Sequence, residues 1–456
     1  MQPQLVSQSS DIPNGNDSYT RGCAFSPDGL CVLTCTSVDN TLRLYNTPPP
    51  VPPSTSTSSV PPTRKDDDQS VPAPHEWQTA LASTEGNMDT VRGYQWYPLM
   101  NSSNPPTCAF LSYTRGNAPI QLIDAYTGKL RGGYSYSSYD DVDAIVSPHC
   151  VTFNGDGSRI YGGFDRVIRV FDTNIPGRDC EVLRLGKTRR SRDGQKGIVS
   201  AMVAGEGVLG VGSYLGSIYL YDERQPSDNG PAGVILSGGN RNKCVVGSGK
   251  GFARKRRRKV VNSWEKDDAG TNDDGNVTNM FAEAKLKLYQ KECRRGITQL
   301  RFGNGGNTLY SAGRCANAVL SWDIRTMSDC RHGVANCLAS YPRDANTNQR
   351  LEFDVFTRDE SEVLLVACRD RCVKLYDVQT RACLTETISG LPDVANGVSA
   401  AKCAYTGKTL VAVSTGSRRF EQEYSSDDED SIQQPIPKTT NSISDINGTL
   451  QLYKIS

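Results

Sequence analysis

Histidine is scarce in this 456-residue chain: His75, His149 and His332 stand far apart. A histidine-based metal centre or a histidine-driven catalytic set has little to draw on, so neither a metal nor any other cofactor is expected. The fifteen cysteines do not fill that gap, because the spacings Cys31 to Cys35 and Cys368 to Cys372 leave three residues between, not the two of a zinc knuckle. They read as reduced thiols used as small buried hydrophobes. Long apolar runs are also missing, Val363 to Cys368 being among the longest, and no membrane partner is expected. The stretch Met1 to Asn14 has neither a basic start nor an apolar centre, so no secretory leader is expected. There is no Gly-x-Ser-x-Gly elbow, Walker loop or paired-histidine motif, and an enzyme is not expected. Charge of one sign is lacking too: 51 Lys plus Arg face 50 Asp plus Glu. Any nucleic acid would have to be held by a local basic surface, not by the overall field.

What is present is a repeat. A short alternating strand ending in an aromatic or apolar residue followed by Asp or a stand-in occurs as Leu42 to Asn46, Ile120 to Asp124, Ile168 to Asp172, Ile218 to Asp222, Val319 to Asp323, Val373 to Asp377 and Leu450 to Lys454. The penultimate residues lie 78, 48, 50, 101, 54 and 77 apart. The three long gaps contain segments of foreign composition: a Pro/Ser-rich stretch at 47–74, a Gly/Asn/charge-rich one at 239–290 and an acidic, Ser-rich one at 420–445. Such segments cannot bury enough apolar surface to offset their ordering entropy, and they read as flexible loops. Without them the long gaps become 50, 49 and 51, and one period of about 50 runs through the chain.

Upstream of these endings lie apolar strands closed by tight turns, as in Ser26-Pro27-Asp28-Gly29, Asn154-Gly155-Asp156-Gly157 and Gly303-Asn304-Gly305-Gly306. Gly and Asp supply the positive φ and the local side-chain bonds that hairpins need. With outer strands such as Glu181 to Leu185 and Val234 to Ser237, each unit has four antiparallel strands. Seven such units predict an all-β, seven-bladed β-propeller occupying 1–456 as one domain. Kelch units would carry a Gly-Gly doublet each, and only Gly162-Gly163 is convincing; the Trp322-Asp323 ending and its Tyr/Phe-Asp relatives favour WD repeats. No Gly-His pair marks the loops between units, so the usual His-centred network inside each blade is expected to be largely missing. The final ending is a third strand with no outer partner after it. The stretch Pro3 to Ser9 can supply that partner, closing the ring and covering an edge.

In such a ring the second-to-third-strand turns and the connections between blades share one rim. Those turns carry Arg115, Arg166, Arg314, Arg369 and Arg371, and Arg418 with Arg419, while blade four offers Tyr214. Guanidinium forks bind phosphate and aromatic rings stack single-stranded bases, which is how RNA loops are read. A second reading has each arginine bracing a loop carboxylate such as Asp165 or Asp370, with the rim serving as a peptide-binding scaffold. Arg254, Lys255, Arg256, Arg257, Arg258 and Lys259 form a basic hexapeptide, read as a nuclear-import signal or a solvated loop. The acidic run Asp427 to Asp430 on the same rim would partly screen the arginines, and Ser425 and Ser426 before it resemble acidic-directed kinase sites.

Beyond the repeat, several stretches are ones a propeller does not need for folding: Pro176 to Val182, Thr347-Asn348-Gln349-Arg350 and Asn396-Gly397-Val398-Ser399. With Gly22-Cys23, Ser26 to Gly29, Asp39-Asn40, Leu42-Arg43, Trp96-Tyr97, Leu99-Met100, Asp124-Ala125, Thr127-Gly128 and Arg166 to Phe171, they resemble the telomerase Cajal body protein family from Gly22 to about Leu452. The resemblance implies a non-enzymatic RNA escort that recognises a loop motif of box H/ACA-type Cajal body RNAs, telomerase RNA included where present. It also implies small nuclear ribonucleoprotein partners and residence in the nucleus and Cajal body; a monomer is expected. Asn348, Gln349, Arg350 and Asn396 are expected to join the arginines on the rim, whereas Gly177 to Cys180 belongs to the opposite face.

Overall fold

The computed structural model describes residues 3–13, 19–47, 75–83, 90–140, 142–186, 194–224, 231–236, 292–293, 295–325, 337–403, 406–417 and 448–455. Within them the alternating segments form seven antiparallel sheets. From the axis outward the strands of each blade are called a to d. Blade one is Thr20–Phe25, Cys31–Thr36, Leu42–Asn46 and Leu81–Ser83. Blade two is Val91–Trp96, Ala109–Thr114, Ile120–Asp124 and Leu130–Tyr136. Blade three is Cys150–Phe153, Arg159–Gly163, Val167–Asp172 and Glu181–Arg184. Blade four is Val199–Gly205, Val208–Ser213, Ile218–Asp222 and Gly233–Leu236. Blade five is Ile297–Phe302, Thr308–Gly313, Ala318–Asp323 and Cys337–Pro342. Blade six is Phe353–Arg358, Ser361–Ala367, Cys372–Asp377 and Ile388–Ser389. All seven expected endings fall in c strands, so the repeat read from the sequence is the repeat of the fold.

Blade seven is built from both chain ends: Ala395–Lys402, Thr409–Thr415, Leu450–Ile455 and, as its outer strand, Gln4–Ser9. Gln4 pairs with Lys454 and Gln8 with Gln451, which is the closure expected of the N-terminal stretch. A fifth strand, His75–Trp77, adds parallel to Gln4–Ser9 and was not anticipated. It covers the edge that the N-terminal strand would otherwise expose, and it carries Trp77 against Tyr45, with ring centroids 5.2 Å apart. Thr47, the first residue of the expected 47–74 loop, is buried and bonded to Leu30 and Gly29, so it belongs to blade one. The rest of 47–74, and all of 239–290 and 420–445, lie outside the described residues.

The core is divided among the blade interfaces. Seven buried apolar clusters each draw on two successive blades, the last on blades seven and one through Leu450, Leu452, Cys23 and Val32. Tyr310, Tyr341 and Tyr376 stack through the five–six interface. Because each apolar face needs the next blade to cover it, no blade is stable alone, and closure fixes all seven. Two glycines make the last contact possible: a Cβ on Gly397 would lie 2.4 Å from the Gly22 Cα and 2.5 Å from the Cys23 N.

The internal polar network is present in fragments. In blade one Asp39 accepts from the main-chain N–H of Thr41 at 3.1 Å and from the Thr36 hydroxyl, and it pairs with Arg43 at 2.6 Å. In blade five the Trp322 indole donates to Ser311 at 2.8 Å.

Candidate nucleic-acid interface

Every blade runs a, b, c, d in antiparallel order, so the b-to-c turns and the d-to-a connections leave one rim. That rim carries Arg115, Arg166, Tyr214, Arg314, Arg369 and Arg371. Main-chain bonds tie their turns to the incoming connections: the N–H of Arg115 donates to Thr90 O (2.9 Å), Tyr214 to Ile198 O (3.0 Å), Arg314 to Gly296 O (2.8 Å), Arg369 to Asp344 O (2.7 Å) and Arg166 to Gly197 O (3.3 Å). The roots of these side chains are therefore fixed by the main chain, and the Arg369 guanidinium also donates to Asn346 O at 3.2 Å. Arg115, Arg314, Arg369 and Arg371 are exposed, Arg166 is half-buried, and Tyr214 is 44% exposed. Arg166 and Arg371 hold left-handed backbone, with φ of 58° and 57°, a conformation that costs a residue with a Cβ roughly 1–2 kcal/mol.

Among the described residues Arg115, Arg314 and Arg371 form no side-chain ion pair. Arg369 does not use Asp370; its Nε lies 3.4 Å from Asp344 Oδ2 with both groups partly exposed, a weak contact in water. Asp370 accepts instead from the Cys372 thiol at 2.9 Å. Cys368, Asp370 and Cys372 thus come together, their donor atoms within 4.8 Å of one another. The main-chain bond from Cys368 N to Cys372 O at 3.1 Å matches that from Thr36 N to Thr41 O at 3.0 Å in blade one, so the two thiols stand where that turn has hydroxyls.

The loop Thr347 to Arg350 divides. Asn348 is exposed beside Cys315, next to Arg314. Gln349 faces inward, donating to Asn396 Oδ1 and to Gly416 O at 2.8 Å. Asn396 is only 2% exposed, and its amide donates to Thr20 O at 2.8 Å. Gln349 and Asn396 therefore stitch blades six, seven and one together behind the rim surface. Arg418, Arg419 and the hexapeptide Arg254 to Lys259 lie outside the described residues. The opposite-face segment packs on blade two, Gly177 bonding through its N–H to Ser135 O and through its carbonyl to Ser137 N.

A second set of residues lies inside this rim: the sequence reading named Arg350 among them and missed Glu352, Arg92 and His149. Arg350, rooted before blade six, lies in electrostatic reach of Tyr113, Cys150 and Tyr214 of blades two to four. Protein surrounds it, yet 48% of the side chain stays open to solvent along the channel. Burial opposes its charge, and Glu352, whose Oε1 lies 3.4 Å from Nε, outweighs that effect and holds its pKa above the ordinary value. Glu352 spans to blade one, accepting the Cys23 N–H where Gly22 has no side chain; a Cβ there would lie 2.5 Å from Glu352 Oε2. From blade two, Arg92 donates to Pro148 O (3.0 Å) and to His149 Nδ1 (2.6 Å). A guanidinium can only donate, so that Nδ1 is unprotonated. Burial first, then Arg92, lowers the His149 pKa and keeps the ring neutral. The available signal was charge at the starts of a strands, Arg92 after Val91 and Glu352 before Phe353.

Fold and turn chemistry define a WD-repeat β-propeller whose b-to-c turns carry arginines from four blades. Comparison agrees: a model described as WD domain, G-beta repeat matches residues 9–46. The chain is 30% identical over 445 residues to telomerase Cajal body protein 1 of Mus musculus, covering 95% of this chain and 66% of the mouse protein. The Homo sapiens protein of that name is 30% identical over 435 residues, with 94% and 62% covered. A Drosophila melanogaster homologue is 29% identical over 340 residues, with 74% and 47% covered. The chain belongs to the telomerase Cajal body protein family. It spans just under two thirds of the length of these mammalian relatives.

Proposed function

We propose that this propeller is a non-enzymatic RNA-binding scaffold: it recognises a loop motif of box H/ACA-type Cajal body RNAs, telomerase RNA where present, and directs these ribonucleoproteins to Cajal bodies. The observation that carries this reading is the rim itself. Arg115, Arg166, Arg314, Arg369 and Arg371 come from four blades, stand on rigid turns and share that rim with Tyr214. Forks for phosphate beside a ring for bases are the parts that single-stranded RNA recognition uses. Asn348 and Arg350 extend the surface, while Gln349 and Asn396 act by holding its backbone. Arg418 and Arg419 would complete it from blade seven, and Arg254 to Lys259 would serve nuclear import. The names of the relatives agree with a Cajal body destination.

The test is ultraviolet cross-linking in cells followed by sequencing of RNA bound to the protein. Enrichment of small Cajal body RNAs, with cross-links on rim peptides, is the expected result. Partners that stay attached after RNase treatment, with no RNA enriched, would instead make the rim a peptide-binding scaffold.

A further inference from the structure

We propose that the mouth of the central channel is a nucleotide subsite in which Arg350 and Arg92 take one backbone phosphate of an RNA loop and Tyr214 stacks the adjoining base. This rests on the reading of the rim as an RNA-binding surface and names what its centre holds.

Three observations support it. First, cations converge there: Arg92 is in electrostatic reach of Arg115, Tyr113 and Tyr214, and Arg350 of Tyr113 and Tyr214. The carboxylate beside them, Glu352, is already engaged by Arg350 and the Cys23 N–H. Burial pulls the Arg92 pKa down, the mark of a cation held without enough water or counter-charge, and an incoming phosphate would supply that charge. Second, Glu352 meets Arg350 at Nε, which leaves the two terminal nitrogens of the fork to grip another anion. Glu352 is thus a positioning residue: seated against Gly22, it holds Arg350 by its Nε. Third, Tyr214 is exposed on a turn fixed by its bond to Ile198, with Leu215 also exposed beside it. A flat ring in electrostatic reach of a phosphate-binding fork can stack any base, since every base has a π-face.

The test measures binding of a fluorescein-labelled single-stranded RNA decamer to the full chain across a salt series. Arg350→Ala should weaken binding about tenfold and reduce the log-log salt slope by about 0.7, the value of one single-strand phosphate contact. Arg350→Lys should keep the slope while losing part of the affinity, which a purely structural arginine would not do. Tyr214→Ala should weaken binding by about 5- to 100-fold with the slope unchanged, and Tyr214→Phe should match wild type. Unchanged slope and affinity in Arg350→Ala, with Arg314→Ala impaired, would overturn the subsite while leaving the rim reading intact. If neither variant changed, the rim reading itself would fail. Competition by a phosphoserine peptide at lower concentration than by uridine monophosphate would also overturn the proposal, reassigning the mouth to a protein ligand.

Discussion

The two rims of the propeller use polar residues in opposite ways. On the rim of a-to-b and c-to-d loops, side chains are consumed locally. Asp28 accepts from the Ser26 hydroxyl (2.6 Å), Leu30 N (3.1 Å) and Ser102 N (2.7 Å), and Asp156 from Ser158 N (2.8 Å). Two arginines there are held locally: Arg131 binds Asp124 at 2.9 Å and the Pro105 carbonyl at 2.9 Å, and Arg325 binds Asp323 at 3.1 Å. In the cavity of about 450 Å³ at that end Arg301 pairs with Asp354 at 2.6 Å. On the rim of b-to-c turns, by contrast, main-chain bonds hold the turns, and among the described residues Arg115, Arg314 and Arg371 are exposed without a side-chain ion pair. A turn that needs its own side chains to hold its shape has none left for a ligand; a turn held by main-chain bonds to the next connection keeps its side chains for one.

The comparison holds only while the ring is closed, so the largest effect should come from opening it. Deleting residues 1–10 removes the outer strand of blade seven and exposes His75–Trp77 and Leu450–Ile455. Calorimetry should show a loss of about 5 kcal/mol or more, beyond the range of most point substitutions, and both rims should lose protection from hydrogen exchange together. An unchanged melting curve would show that closure does not support the rims.

Next comes Gly397→Ala, which forces a methyl group into the Gly22–Cys23 backbone at 2.4 Å. Urea unfolding should register about 3 kcal/mol of destabilisation. Wild-type stability would mean that blades seven and one are not in that close contact.

Arg166→Gly separates folding from binding. Glycine adopts the φ of 58° without strain, at the cost of more unfolded-state entropy, so stability should stay within about 1 kcal/mol of wild type. RNA affinity should nevertheless fall. A large loss of stability would place Arg166 among the structural residues and blur the distinction between the rims.

The smallest effect concerns Asp39, the exception on the arginine rim because its turn is held by its own side chain. Burial would raise its pKa, but bonds from Arg43, Thr36 and Thr41 outweigh that and hold it well below the carboxylate range. The contribution is therefore present above the unfolded pKa near 4 and lost as pH falls below it. Asp39→Asn should flatten stability between about pH 4 and pH 2; an unaltered acid profile would remove this network from the account.

Much of this was legible in the sequence because the c strands repeat a pattern that packing demands: Tyr45, Phe171 and Trp322 are fully buried where the period put them. The turn arginines were legible for the same reason, since strand order assigns each turn to a rim. What escaped needed distances across the ring. Gln349 and Asn396 look like rim residues until their mutual bond, 47 positions apart, shows them turned inward. The channel mouth is assembled from positions near 22, 92, 149 and 350, which no local pattern links. The strand His75–Trp77 is three residues long and follows a Pro/Ser-rich stretch that hides it.

The most direct test of the central claim compares two double variants in the same RNA-binding titration across salt: Arg166→Gly with Arg314→Ala on one rim, and Arg131→Ala with Arg325→Ala on the other. The first pair should weaken binding and lower the salt slope by about 1.4, two single-strand contacts, while the second leaves both unchanged. Equal losses from the two pairs, or none from the first, would contradict the assignment of RNA to the arginine rim.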